Sequence, residues 1–161
     1  FTKSKMRHTF TKSINQSQTL IGGMYFENNT IPLNLNDGLD YVNIVGNFLP
    51  LTINSCFLTV NNSLTLLRTN KFTKMNLLWE FTSETSEMLD IAFRIKRINF
   101  KGECEFIEST KVNGSSNSRT FGQTIISVNS NDKYYMQIRN IDLLQPTSNI
   151  LITSAELVLT E

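Results

Sequence analysis

From Met88 to Ile98 the chain alternates: Leu89, Ile91, Phe93 and Ile95 fall on one side of an extended backbone, and Asp90, Arg94 and Lys96 fall on the other. Neighbouring residues of a strand point to opposite faces, so a period of two marks a strand with one side buried and one side wet. Similar runs, separated by turn-forming residues, recur to the end of the chain. The pattern predicts an antiparallel all-β domain.

Composition supports that reading. Asn, Ser and Thr make up about a third of the 161 residues and Ala occurs only at 92 and 155, which disfavours long helices and favours strands and turns. A chain of this length buries roughly two thirds of its unfolded surface and needs no metal or disulfide staple. The net charge is +1, with basic clusters at Lys3, Lys5 and Arg7 and at Arg94, Lys96 and Arg97. Neither resembles a nucleic-acid groove, so no nucleic-acid partner is expected. No apolar run is long enough for a transmembrane helix, and the polar start is unlike a signal peptide, so no membrane insertion is expected. A first residue of Phe1 points to a processed product or a fragment. Cys56 and Cys104 are expected to be buried free thiols, with a disulfide as the alternative.

Residues 1–19 are polar, with Met6, Phe10 and Ile14 as isolated apolar points, and read as an arm or linker. A β-sandwich domain is expected over 20–161. Strands are predicted at Leu39–Val45, at Leu49–Val60 with Pro50 suited to an edge, and at Leu64–Arg68. Met75, Leu77, Trp79 and Phe81 form the strongest core stripe of the next strand. Further strands follow at Met88–Ile98, through Cys104 and Phe106, and at Phe121–Val128, Tyr134–Ile141 and Ile150–Leu159. Asn113-Gly114-Ser115-Ser116-Asn117-Ser118 is the clearest surface loop, because glycine and short polar side chains favour turns. About eight to ten strands with this spacing favour a two-sheet jelly-roll sandwich.

The chain offers little for catalysis. Its one histidine, His8, lies in the polar arm, away from any nucleophile, so a histidine-dependent triad is not expected. No Cys/His spacing suits zinc. Asn34, Asn36, Asp37 and Asp40 surround Gly38, but a calcium loop starting at Asn34 needs a glutamate where Val45 stands. Glu84, Glu87 and Asp90 are explained as polar loop and strand residues. No phosphate loop or dinucleotide fingerprint occurs, so no cofactor, no metal and no enzyme activity are expected. The sequons beginning at Asn15, Asn28, Asn61 and Asn113 follow from an Asn-, Ser- and Thr-rich composition. Trp79 belongs to the core stripe, and only one of Tyr134 and Tyr135 can share the face of Met136.

From Leu39 onward the order of features resembles the C1q/TNF-like jelly-roll found at the tips of trimeric phage and viral fibre or head proteins. The resemblance is carried by Leu77-Leu78-Trp79-Glu80-Phe81, by Ile91 to Arg97, by a turn at Asn99 and by a Thr/Ser-rich strand ending at Val128. It continues through Asn131-Asp132, Tyr134 to Asn140 and Ile150 to Leu159. The family often places glycine before that aspartate, whereas Asn131 stands here, and no collagen repeat is present. The resemblance implies a homotrimer, an N-terminal arm that contacts other virion proteins, and loops that face a host-surface glycan or protein. An Asn-, Ile-, Lys- and Ser-rich composition fits an AT-rich phage genome. These features together point to a viral structural protein of the virion, a fibre, head-decoration or tail-tip module. Tyr135, Gln137 and Arg139 are the candidate subunit interface, and Asn113, Ser115, Ser116 and Asn117 the candidate recognition loop. The alternatives are a non-catalytic carbohydrate-binding module and a shell-forming capsid jelly-roll protein.

Overall fold

The computed structural model describes residues 20–35, 40–52, 55–68, 74–85, 89–114, 118–142, 144 and 148–161, with side chains omitted at 108–114 and 148. The expected arm at 1–19 and His8 lie outside these residues. Twelve strands and no helix occur among them. Two antiparallel sheets face each other across one apolar core.

The first sheet has the order β10 (Ser118–Ser127), β7 (Lys74–Glu84), β12 (Ser148–Thr160), β1 (Ile21–Phe26) and β4 (Leu49–Pro50), with β2 (Leu33–Leu35) also paired to β12. The second runs β5 (Phe57–Val60), β6 (Ser63–Leu66), β11 (Asp132–Asn140), β8 (Leu89–Ile98) and β9 (Cys104–Gly114), with β3 (Val42–Asn43) also on β11. In the first sheet β12 is central, held by β7 on one side and by β1 on the other.

The alternation that predicts strands also selects the core. On β8 Leu89, Ile91, Phe93 and Ile95 are all buried, and on β7 Met75, Leu77, Trp79 and Phe81 meet them from the opposite sheet. The Phe93 ring lies 4.4 Å from Trp79 and 5.1 Å from Phe81, centroid to centroid, and so ties the sheets together. Tyr134 shares the buried face of Met136, and Tyr135 takes the other face. The Tyr134 hydroxyl donates to the buried Asp132 carboxylate at 3.3 Å, and burial raises the Tyr134 pKa.

Turns fall where short polar residues tolerate positive φ. Asn61 and Asn62 both adopt it, at 51° and 61°, and join β5 to β6 in a two-residue hairpin of the kind whose twist matches the strands. Gly102 at 83° and Asn131 at 69° serve the turns before β9 and β11.

Four expectations are corrected. The run Leu49–Val60 is not one strand: Pro50, which has no N–H to donate, ends the short edge strand β4, and β5 starts separately at Phe57. Of the strand expected at Leu39–Val45, residue 39 lies outside the described residues, and among 40–45 only Val42–Asn43 forms a strand. The strand through Cys104 continues to Gly114, so Asn113 and Gly114 belong to the β9 ladder opposite Asp90 and Leu89. Finally, Cys104 is exposed and Cys56 half-buried, and neither forms a disulfide. Cys104 opens the edge strand β9, which has a partner on one side only, so its side chain lies at the rim of the sandwich.

Candidate functional site

Among the described residues no group of three or more His, Cys, Asp or Glu is placed to hold a metal. The surfaces that offer chemistry are the outward faces of the two sheets.

On the first sheet the registers align residues in rows across four strands. Phe121, Glu80, Glu156 and Tyr25 form one row, Gln123, Leu78, Val158 and Gly23 the next, and Ile125, Asn76, Thr160 and Ile21 a third. Phe121 is 71% exposed and Ile125 68%. Large apolar side chains so open, on a sheet whose inner face is fully packed, form a surface suited to a contact. Arg119 makes a bidentate bond to Glu80, Nε to Oε1 at 2.7 Å and Nη2 to Oε2 at 2.8 Å. That bond lowers the Glu80 pKa. Glu156 sits directly opposite Glu80 on the neighbouring strand, and its own pKa is raised, first by burial and then by the charges of Glu80 and Glu27. A shallow depression runs between Phe121, Leu78 and these charges, floored by Gly122 and Trp79.

The outward face of the second sheet carries Tyr135, Gln137 and Arg139, and the register sets Gln137 opposite Arg94 on β8 and Asn43 on β3. Gln137 is only 6% exposed, and its amide is engaged at both ends. Its Oε1 accepts from Arg94 Nε at 2.9 Å and its Nε2 donates to Asn43 Oδ1 at 2.8 Å. The Arg94 guanidinium lies between two rings, 3.6 Å from Tyr41 and 3.8 Å from Phe106. Arg139 approaches the same Tyr41 ring at 5.0 Å, and its buried Nε has no hydrogen-bond partner. Burial lowers the Arg94 pKa, Tyr41 opposes that shift, and Arg139 adds to the lowering.

The structure thus joins Tyr135, Gln137 and Arg139 on one face, and adds Tyr41, Asn43, Arg94 and Phe106 to it. Arg94 and Lys96 are visible in the sequence as alternating cations, but nothing there shows that Tyr41 and Phe106 flank them. Of the expected recognition loop, Asn113 lies in β9, and Ser115, Ser116 and Asn117 lie outside the described residues, between the end of β9 and the start of β10. Trp79 is 4% exposed, so it is a core residue and not a sugar platform.

No protein-family model and no curated protein sequence matches this chain. Solved structures match it in shape. Murine APRIL at pH 5.0 aligns with a TM-score of 0.61 at 8% identity, over 88% of this chain and 99% of that one. Murine APRIL at pH 8.5 gives 0.56 at 12% identity over the same shares. Eiger TNF from S. frugiperda gives 0.56 at 14% identity, over 86% of this chain and 90% of that one. Identities this low speak for the fold alone. The two antiparallel sheets of this chain form a TNF-like jelly-roll.

Proposed function

We propose that this chain is a non-catalytic assembly and recognition module that forms a homotrimer through the outward face of its first sheet, in place of the Tyr135, Gln137 and Arg139 face of the second sheet expected from the sequence. The observation that carries the reading is the exposure of Phe121 and Ile125 on a face that also bears Arg119, Glu80 and Glu156. Apolar anchors beside charges of both signs are the ingredients of a contact between copies, and around a threefold axis each copy would present this face to the next in a heterologous contact, with the Arg119–Glu80 pair of one copy near Glu156 of another. The sequence resemblance supports three copies. Extending that resemblance and the AT-rich composition, we place the module in a virion, as a fibre, head-decoration or tail-tip protein, with the N-terminal arm contacting its other proteins. The second sheet and the loops then remain free to meet a host surface.

Light scattering of the purified chain over a concentration series tests the assembly. A stable mass of three chains is expected. A monomer at every concentration overturns the homotrimer and leaves the carbohydrate module or a capsid component that assembles only on its particle.

A further inference from the structure

We infer that the outward face of the second sheet, around Arg94 and Arg139, binds the carboxylate of an acidic sugar, a uronic or sialic acid. The inference deepens the recognition half of the proposed function and is independent of self-association, because every residue involved belongs to one chain.

The first argument is preorganisation. Arg94 is clamped between Tyr41 and Phe106, and its Nε is fixed by Gln137, which is itself anchored to Asn43. A guanidinium held this way loses little freedom when a planar carboxylate meets its terminal nitrogens. The second argument is unmet charge. Among the described residues neither Arg94 nor Arg139 forms an ion pair, although both lie against one tyrosine ring and Arg139 Nε is buried without an acceptor. Two partly desolvated cations side by side repel each other, and an anion relieves both the repulsion and the desolvation.

The surroundings narrow the class. Phe106 is 55% exposed, and Asn43 is exposed at the other end of the row that runs through Gln137 and Arg94. An open ring edge and face suit the C–H face of a pyranose, and an amide can donate to or accept from hydroxyls. An extended acidic peptide typically takes a groove or an open sheet edge. The two cations lie away from an open edge, since β11 is paired with β8 on one side and with β6 and β3 on the other, and β8 stands between β11 and the edge strand β9 that carries Phe106. A sulfated polymer or nucleic acid needs a broad positive field, and the net charge of the chain is only +1.

The test is a titration of the full chain with the methyl glycosides of N-acetylneuraminic acid and glucuronic acid, followed by amide and aromatic NMR shifts. Methyl glucoside and the methyl ester of the uronic acid serve as neutral controls, and a heparin fragment and a glutamate-rich peptide as competing classes. Acidic glycosides are expected to shift Tyr41, Phe106 and Arg94 signals and to bind at least about tenfold more tightly than the ester. Arg94→Gln and Phe106→Ala should each weaken binding about tenfold or more, whereas Lys101→Gln, in the turn before β9, should not. Phe106 is exposed, so its replacement keeps the fold even if Arg94→Gln does not. Equal binding of the ester, binding only by heparin or the peptide, or no shift at these residues overturns the proposal. Light scattering on the same samples separates this outcome from the assembly: a monomer that binds the acidic sugar refutes the trimer alone.

Discussion

Replacing Phe121 by Thr isolates the assembly face from the fold. Thr suits a strand, so the β10 ladder is preserved, and a residue 71% exposed contributes little to the monomer. With a ring surface of roughly 200 Å², the exposed fraction amounts to about 140 Å². At about 25 cal/mol per Å² its full burial is worth about 3.5 kcal/mol. Thr restores part of that area and association carries its own costs, so about 1.4 to 2.8 kcal/mol per contact is expected, a roughly ten- to hundredfold weaker association. Sedimentation or light scattering over a dilution series reads the shift directly. The melting temperature at a concentration where both proteins are monomeric should change little, because surface substitutions usually fall within about 0.5 kcal/mol. An unchanged mass profile refutes the placement of the contact on this face. A large loss of monomer stability refutes the reasoning from exposure.

Phe93→Ala removes the ring that bridges Trp79 and Phe81 and should cost about 3 to 5 kcal/mol in denaturant unfolding. Gly122→Ala places a Cβ 2.4 Å from Trp79 Cζ2. It should cost about 1 to 3 kcal/mol by overpacking and shift the emission of the sole tryptophan. For Glu156 the sign follows from its raised pKa: the folded protein binds this proton more tightly than the unfolded chain, so the contribution to stability falls as pH rises through the carboxylate range and is unfavourable at neutral pH. Glu156→Gln should therefore melt slightly higher than the parent at pH 7, with the gap closing below about pH 4. A gap that is constant with pH would show that charge is not its cause.

How much of this molecule was legible in its sequence depended on whether a segment carries its own signal. Leu89 to Ile95 and Met75 to Phe81 alternate except at Ala92 and Leu78, and their continuous apolar side is buried. At Asn113 and Gly114 local preference points to a loop, but pairing with Asp90 and Leu89 extends the strand, because a ladder supplied by a distant segment outweighs weak propensity. The short strands β2, β3 and β4 have no period to detect and exist through the partners they meet. The same limit applies to the sites. Alternation groups Tyr135, Gln137 and Arg139, but the rings that clamp Arg94 come from the segment before β3 and from β9. Their arrival depends on strand order, which periodicity does not encode.

The central place of β12 bears on how the chain reaches its native state. β1 pairs with β12 from Ile21 opposite Thr160 to Phe26 opposite Ala155, and β7 pairs with the other side of the same strand. Neither can complete its pairing until β12 has been made, so β1 and β7 each wait with a side open while the intervening strands are synthesised, although β7 gains β10 and β1 gains β4 in the meantime. Contacts between such distant segments slow folding and leave open edges available to other molecules. The residues of β12 therefore govern how long these open sides are exposed to aggregation.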